Sequence, residues 1–451
     1  MDFFKSHLRP LIAAAWLVGF TTACLPIDRT PVDATPDLTA ATAQADRIAV
    51  PAEAAIHAGA ARVEMTPSGV PPLAGYGNRL GRPARGVHDP LYARALALRA
   101  GDRTIVLVSL DLLAVTDDMV HAVEARIRRE VSLSDDSLIL TATHTHSSFG
   151  AVARRLWESF AAGEYDEPMF RFLVERAAAA ALGALEQLAP AQIAWGETSA
   201  PERIANRMIP GGPTDPAVPF LSVARPNGDP VATLVNFAAH ATVLKADNFL
   251  LSADYPGAVA SALEQQGGVA LFTAGAVADQ TGVPPAASDR FAAMDAMGAD
   301  LAARVAATRR ALPATAWVDH AAIDAWRLAI PLPAPQLKVS PHRRLPKAVG
   351  DLLFDRRTTL TVAVVGEGLV IAVPCDLSAT IGARWKAEAA RLGRRAVVVG
   401  FADDYVGYVI PAEYYETSHY EARMSFNGPY MDQYLTGVVT RALSRLGPLH
   451  R

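Results

Sequence analysis

Along the chain, apolar runs rich in Val, Ile and Leu alternate with Ala/Arg/Glu stretches whose apolar positions recur at helical spacing. The runs predict strands at 61–65, 93–99, 104–110, 138–143, 231–237, 269–273, 360–365, 369–373 and 396–401. The amphipathic stretches predict helices over 117–130, 167–188, 255–266, 290–312, 378–391 and 430–446. Gly366-Glu367-Gly368, between two of the runs, reads as a hairpin turn. Hairpins mixed with strand–helix units point to an α/β fold of mixed β-sheets flanked by helices. Neither an internal repeat nor a linker stands out after residue 60, so 59–451 is expected to form a single domain. The Pro-rich, basic stretch 327–355 reads as a long surface insertion.

Composition narrows the class. With 451 residues, 51% hydrophobic and 20% charged, the chain has ample material for a core and is not a disordered polymer. The 42 Lys and Arg against 46 Asp and Glu leave no basic excess to neutralise phosphates, so no nucleic-acid partner is expected. The two cysteines, Cys24 and Cys375, exclude a disulfide framework and a thiolate-rich metal site.

The first 24 residues read as an export signal. Lys5, His7 and Arg9 precede the apolar run from Leu11 to Phe20, and Thr21-Thr22-Ala23-Cys24 follows. That run falls short of the ~20 apolar residues that span a bilayer. A lone Cys after Ala23 suggests a bacterial lipoprotein acylated at Cys24, in the periplasm or on the outer membrane; ordinary secretion is the alternative. Residues 25–58, with Pro26, Pro31, Pro36 and Pro51, read as a flexible tether.

Candidate chemistry gathers at strand ends. Thr143-His144-Thr145-His146-Ser147 follows an apolar strand, and on an extended chain His144 and His146 share a face. Two imidazoles there suit a metal ligand beside a second ligand or a proton carrier. His240 ends another apolar strand in Phe237-Ala238-Ala239-His240, and Asp254 downstream reads as a helix N-cap. Asp376, in Pro374-Cys375-Asp376, places a carboxylate just past a third strand. Two His and a carboxylate form a familiar zinc set. Five of the 11 tyrosines, among them Tyr408 and Tyr420, crowd into residues 405–420. A phenol can bind a metal or donate to an oxyanion.

These strings together resemble the neutral/alkaline (non-lysosomal) ceramidase family, specifically its N-terminal catalytic domain. The resemblance runs from Arg62-Val63-Glu64-Met65-Thr66-Pro67 to about Leu446 and includes Gly86-Val87-His88-Asp89-Pro90-Leu91-Tyr92 and Ser109-Leu110-Asp111-Leu112. Thr143-His144-Thr145-His146-Ser147 is its most specific element, and His240-Ala241-Thr242 and Tyr408 follow in family order. It implies a zinc amide hydrolase that cleaves the N-acyl bond of ceramide or a related N-acyl lipid. Zn2+ would be held by His144, His240, Asp376 and Tyr408. His146 would carry the proton and Tyr420 would stabilise the oxyanion. Arg207 and Thr281 would contact the substrate's polar groups.

The chain departs from the family pattern around the substrate. Asp376 stands where the family has Glu, one methylene shorter, and Thr281 stands in the place of a Ser. No segment for the family's C-terminal immunoglobulin-like domain is expected after the last helix. The alternatives are an esterase or amidase for a soluble acylated compound, and a lipid-anchored binding protein that does not turn over.

Overall fold

The computed structural model describes residues 24–31, 36–155 and 157–449. Within them, one pattern of elements occurs three times. In the first unit, β1 (Ala54–Glu64), β2 (Tyr92–Ala100) and β3 (Arg103–Leu110) pair antiparallel in that order. The chain then crosses through α1 (Asp117–Ile127) to β4 (Leu138–Ala142), which lies parallel to β3, and continues into α2 (Glu167–Glu186). The second unit repeats this with β5 (Gln192–Ser199), β6 (Ala217–Ala224), β7 (Pro230–Phe237), α3 (Asp254–Glu264), β8 (Val269–Ala274) and α4 (Arg290–Arg310). The third uses β9 (Ile323–Pro331), β10 (Arg357–Val365), β11 (Gly368–Ala372), α5 (Ala379–Arg391), β12 (Arg395–Val399) and α6 (Met431–Leu446).

Alternation along the strands explains how the units assemble. Leu96, Leu98 and Leu107 of the first sheet meet Leu221 and Leu234 of the second and Ala363, Val365 and Val370 of the third in one central core. The opposite face of each sheet is covered by the two helices of its own unit: α1 and α2, α3 and α4, α5 and α6. Strands buried on both faces need apolar residues at nearly every position, which is why they read as continuous runs. Truncating Leu107 to Ala at the three-sheet junction would cost ~2–5 kcal/mol.

The predicted elements are present, with ends moved by a few residues, and several expectations are corrected. The threefold pattern is an internal repeat of architecture where none was expected. Strands β5, β6 and β9 were missed. Gly196 breaks the apolar run of β5, at a point where a Cβ would lie 2.2 Å from the Phe220 ring, and Pro219 lies inside β6. The 327–355 excursion begins only after β9, since Arg327 pairs with Thr361 inside the sheet. The expected tether is folded over its described part. Leu25–Pro26 pairs antiparallel with Arg343–Arg344, and Ala41, Ala45 and Ile48 are buried in the outer core of the third unit. The domain therefore starts well before residue 59, and β1 itself starts at Ala54. The signal segment before Cys24 lies outside the described residues.

Candidate metal centre and its pocket

The site collects where the crossover ends of the three units meet. In each unit the parallel strand pair ends in a loop, and such ends are where α/β folds place ligands. The first unit supplies His144 and His146, just past β4. The second supplies His240, just past β7. The third supplies Asp376 after β11, and Tyr405 and Tyr408 after β12. The two-residue strand Asp376–Leu377 pairs parallel with Tyr408–Val409, so that Asp376 and Tyr408 stand side by side.

Convergence of the first two imidazoles arises differently from the expectation. β4 stops at Ala142, and His144 takes a left-handed backbone with φ 63°. A turn, not an extended chain, therefore brings His144 Nε2 to 3.1 Å from His146 Nε2. A left-handed non-glycine residue is strained and persists only where its surroundings hold it. The His144 ring is stacked on Phe401 at 3.8 Å, and its Nδ1 meets the Leu113 carbonyl at 2.7 Å. His146 sits over Gly75 (φ 106°), where a Cβ would approach His146 Cβ to 2.7 Å. Arg79 braces this turn. It is buried and donates from Nη1 to the carbonyls of Ala74 and His146, from Nη2 to those of Lys245 and Asn248, and from Nε to that of Ala246.

His240 is fully buried, and its Nδ1 faces the carbonyls of Val277 at 2.8 Å and Gln280 at 3.0 Å. A carbonyl accepts only, so Nδ1 of both His144 and His240 carries the proton and Nε2 presents a lone pair. Asp376 Oδ1 lies 3.2 Å from His240 Nε2 and 3.8 Å from His144 Nε2. This oxygen is buried without a hydrogen-bond partner among the described residues, while Oδ2 accepts from the Tyr405 hydroxyl at 2.8 Å. Tyr408 OH is 3.5 Å from His240 Nε2 and accepts from Arg207 Nη2 at 3.1 Å.

Burial is the main influence on the charges. It pushes His144 down to about 3 and His146 and His240 well below their ordinary value, so the imidazoles are neutral. It also pushes the Asp376 carboxyl up, against the nearby His144 and the Tyr405 hydrogen bond. The donor set fits a divalent cation: lone pairs of His144 and His240 converge on an unpartnered carboxylate oxygen, with a phenol alongside. Ligating atoms of His144, His146 and His240 all lie within 4.8 Å of one another. With Asp376 available, either His144–His240–Asp376 or the three imidazoles can hold the ion.

The remaining candidates are distributed around this cluster. Tyr420 lies on the pocket lip, 57% exposed, with its ring 5.7 Å from that of Tyr408. Arg207 Nε pairs with Glu421 at 2.9 Å, so its guanidinium is already engaged between Glu421 and Tyr408. Thr281 is bridged to His240 along the backbone but is not part of the pocket lining. Next to it, Asp279 accepts from Ser378 Oγ and Ala379 N, tying the string to the start of α5. Asp254 is the first residue of α3 rather than its cap, and its carboxylate holds Leu244 N and Tyr255 N.

Tyr405 is one of the five tyrosines crowded into 405–420 and had no role assigned from the sequence; its spacing from Tyr408 was the available signal. Arg79 gave none, because its partners are backbone carbonyls. The cluster opens into an apolar pocket lined by Leu112, Leu113, Met119, Phe149 and Val152, with Tyr408 and Tyr420 at the cluster end.

Imidazoles and a carboxylate gathered beside an apolar pocket, at the strand ends of an α/β scaffold, define a candidate metallohydrolase centre. Residues 57–278 match the neutral/alkaline non-lysosomal ceramidase family in its N-terminal part. The chain's fold is similar to the crystal structure of neutral ceramidase from Pseudomonas aeruginosa, with a TM-score of 0.79 at 18% identity over 88% of this chain and 76% of that one. A ceramidase complexed with C2 gives a TM-score of 0.74, again at 18% identity and the same coverage.

Proposed function

We propose that this chain is a zinc-dependent amide hydrolase that cleaves the N-acyl bond of ceramide or a related N-acyl lipid. The observation that carries the reading is the convergence of His144 Nε2, His240 Nε2 and the unpartnered Asp376 Oδ1 beside an apolar pocket. The match of residues 57–278 to the ceramidase family supports it. His144, His240, Asp376 and Tyr408 would hold the ion. A bound divalent cation supplies Lewis-acid polarisation of a carbonyl and acidification of water.

The chain's own residues do the rest. His146, neutral and next to the ligands, takes at a ring nitrogen the proton released by attack and passes it to the leaving nitrogen. The Tyr420 phenol donates to the developing oxyanion from the pocket lip. Arg207 fixes the Tyr408 hydroxyl, and the apolar lining excludes water from the acyl group.

The pocket's volume of about 100 Å³ supports the second reading, an amidase or esterase for shorter acyl groups. A panel of short- and long-chain N-acyl sphingosines, N-acyl amino acids and esters, assayed with and without a chelator, tests both. Chelator-sensitive turnover of acyl sphingosines supports the first. Chelator-sensitive turnover of non-lipid substrates alone supports the second, and no turnover at all leaves the binding-protein alternative. Export, with acylation at the exposed Cys24, completes the proposal.

A further inference from the structure

The pocket beside the imidazole cluster contains a polar group that the proposed reaction does not use. Glu158 belongs to its lining and is 7% exposed. Its Oε2 is buried with no hydrogen-bond partner among the described residues. Oε1 has a long contact, 3.4 Å, with Arg155 Nη1, and the Arg155 backbone also donates to the carboxyl. That guanidinium is engaged elsewhere, with Asp404 at 2.9 Å, Asp117 at 2.9 Å and Asp355 at 2.7 Å. Burial therefore dominates and pushes the Glu158 carboxyl up to about 8, and the charge of Asp404 adds to the rise. Trp157, also in the lining, has a buried Nε1 without a partner among the described residues, and its ring lies 5.8 Å from that of Tyr405.

A buried carboxyl oxygen without a partner is uncommon in folded proteins and calls for a ligand or water to satisfy it. The space of about 100 Å³ is small beside the ~300–1,000 Å³ of ordinary ligand pockets. Leu112, Met119, Phe149 and Val152 make most of it unsuitable for water, so it suits a short carbon chain with one polar end.

We propose that Glu158 selects the acyl group, the pocket taking a short acyl chain whose far end carries a hydroxyl hydrogen-bonded to the Glu158 carboxyl. A hydroxyl both donates and accepts, so it pairs with the acid in either protonation state. A methyl end would leave the carboxyl unpaired and be disfavoured. The inference rests on the hydrolase reading only for the direction of the chain, with its carbonyl at the imidazoles.

The test uses fluorogenic aminocoumarin amides from butanoyl to octanoyl, each with a methyl or an ω-hydroxyl end, and calorimetric binding of the matching free acids. The expected result is a preference for the hydroxylated chain, on the order of tenfold or more in kcat/KM at the best length, mirrored in the binding of the acids. Glu158→Leu, which removes the buried polar group at similar volume, should abolish or reverse the preference, and Glu158→Gln should keep part of it. Absence of turnover with the binding preference intact counts against the hydrolase reading and leaves this one standing. Equal binding of both acid types, binding of neither, or a preference unchanged in Glu158→Leu overturns it. Equal kcat/KM for the two ends in a working enzyme overturns it as well.

Discussion

The hydroxyl of Tyr405 donates to Asp376 Oδ2 at 2.8 Å, and this leaves Oδ1 facing the Nε2 atoms of His144 and His240. Groups that orient a ligand in this way tune metal affinity without touching the ion. Tyr405→Phe should fold normally and bind zinc about 10–100-fold more weakly in competition with a chromophoric chelator. Unchanged affinity would remove Tyr405 from the positioning set.

The two His roles can be separated by metal content. His144→Ala and His240→Ala should lose the ion in elemental analysis. His146→Ala should keep it and lose about a hundredfold to ten-thousandfold in turnover, the usual share of a general acid–base. If His146→Ala emerges metal-free, the three imidazoles are the ligands, and the proton carrier must be sought elsewhere.

Arg79→Lys tests the brace behind His146. Lysine has three donors on one nitrogen and cannot serve five carbonyls spread around a planar fork. Buried carbonyls left without donors should lower unfolding free energy by about 2–4 kcal/mol in urea titration. Turnover should fall with it, since the backbone of His146 loses its anchor.

Glu158 gives a stability signature that depends on pH. Its carboxyl is raised from 4.5 to about 8 in the folded protein, so between those values the folded state holds more protons than the unfolded one. Stability from this group is complete below pH 4.5 and is lost as pH rises to about 8. Glu158→Gln carries no titrating group there. The melting temperature of wild type relative to this variant should therefore fall steadily from pH 5 to pH 8, by calorimetry at constant ionic strength. A constant difference across that range would mean that Arg155 holds the carboxylate ionised.

Much of the fold was legible because its strands are buried on both faces. Leu138–Ala142 reads as a strand from composition alone. β5 does not, since Gly196 is there to admit the ring of Phe220, a partner known only from the sheet register. The threefold architecture was invisible because each unit fills equivalent strands with different residues. Leu96, Leu234 and Val370 share one core without sharing a motif. At the site, the His doublet was legible as chemistry but not as geometry. His144 and His146 meet through a left-handed turn that no residue type announces. Asp376 was legible as a carboxylate just past a strand, and only the structure shows that its short side chain reaches both imidazoles.

Acylation of Cys24 is open to direct test. Radiolabelled palmitate should appear on the protein in growing cells, and Cys24→Ser should release it from the membrane fraction. Soluble, unlabelled wild-type protein would leave only secretion.

The pairing of Leu25–Pro26 with Arg343–Arg344 changes what such an anchor would do. A free chain over 25–58 would give the enzyme a leash of roughly 30 Å, enough to swing and roll above the surface. Clamped at the very next residue, with Arg343 Nη1 donating to the Cys24 carbonyl at 3.1 Å, the lipid would leave almost no slack. The body would then ride on the bilayer with one fixed side down. Its orientation, and hence the height of the pocket mouth above the headgroups, would be set by the 343–344 strand and not by diffusion.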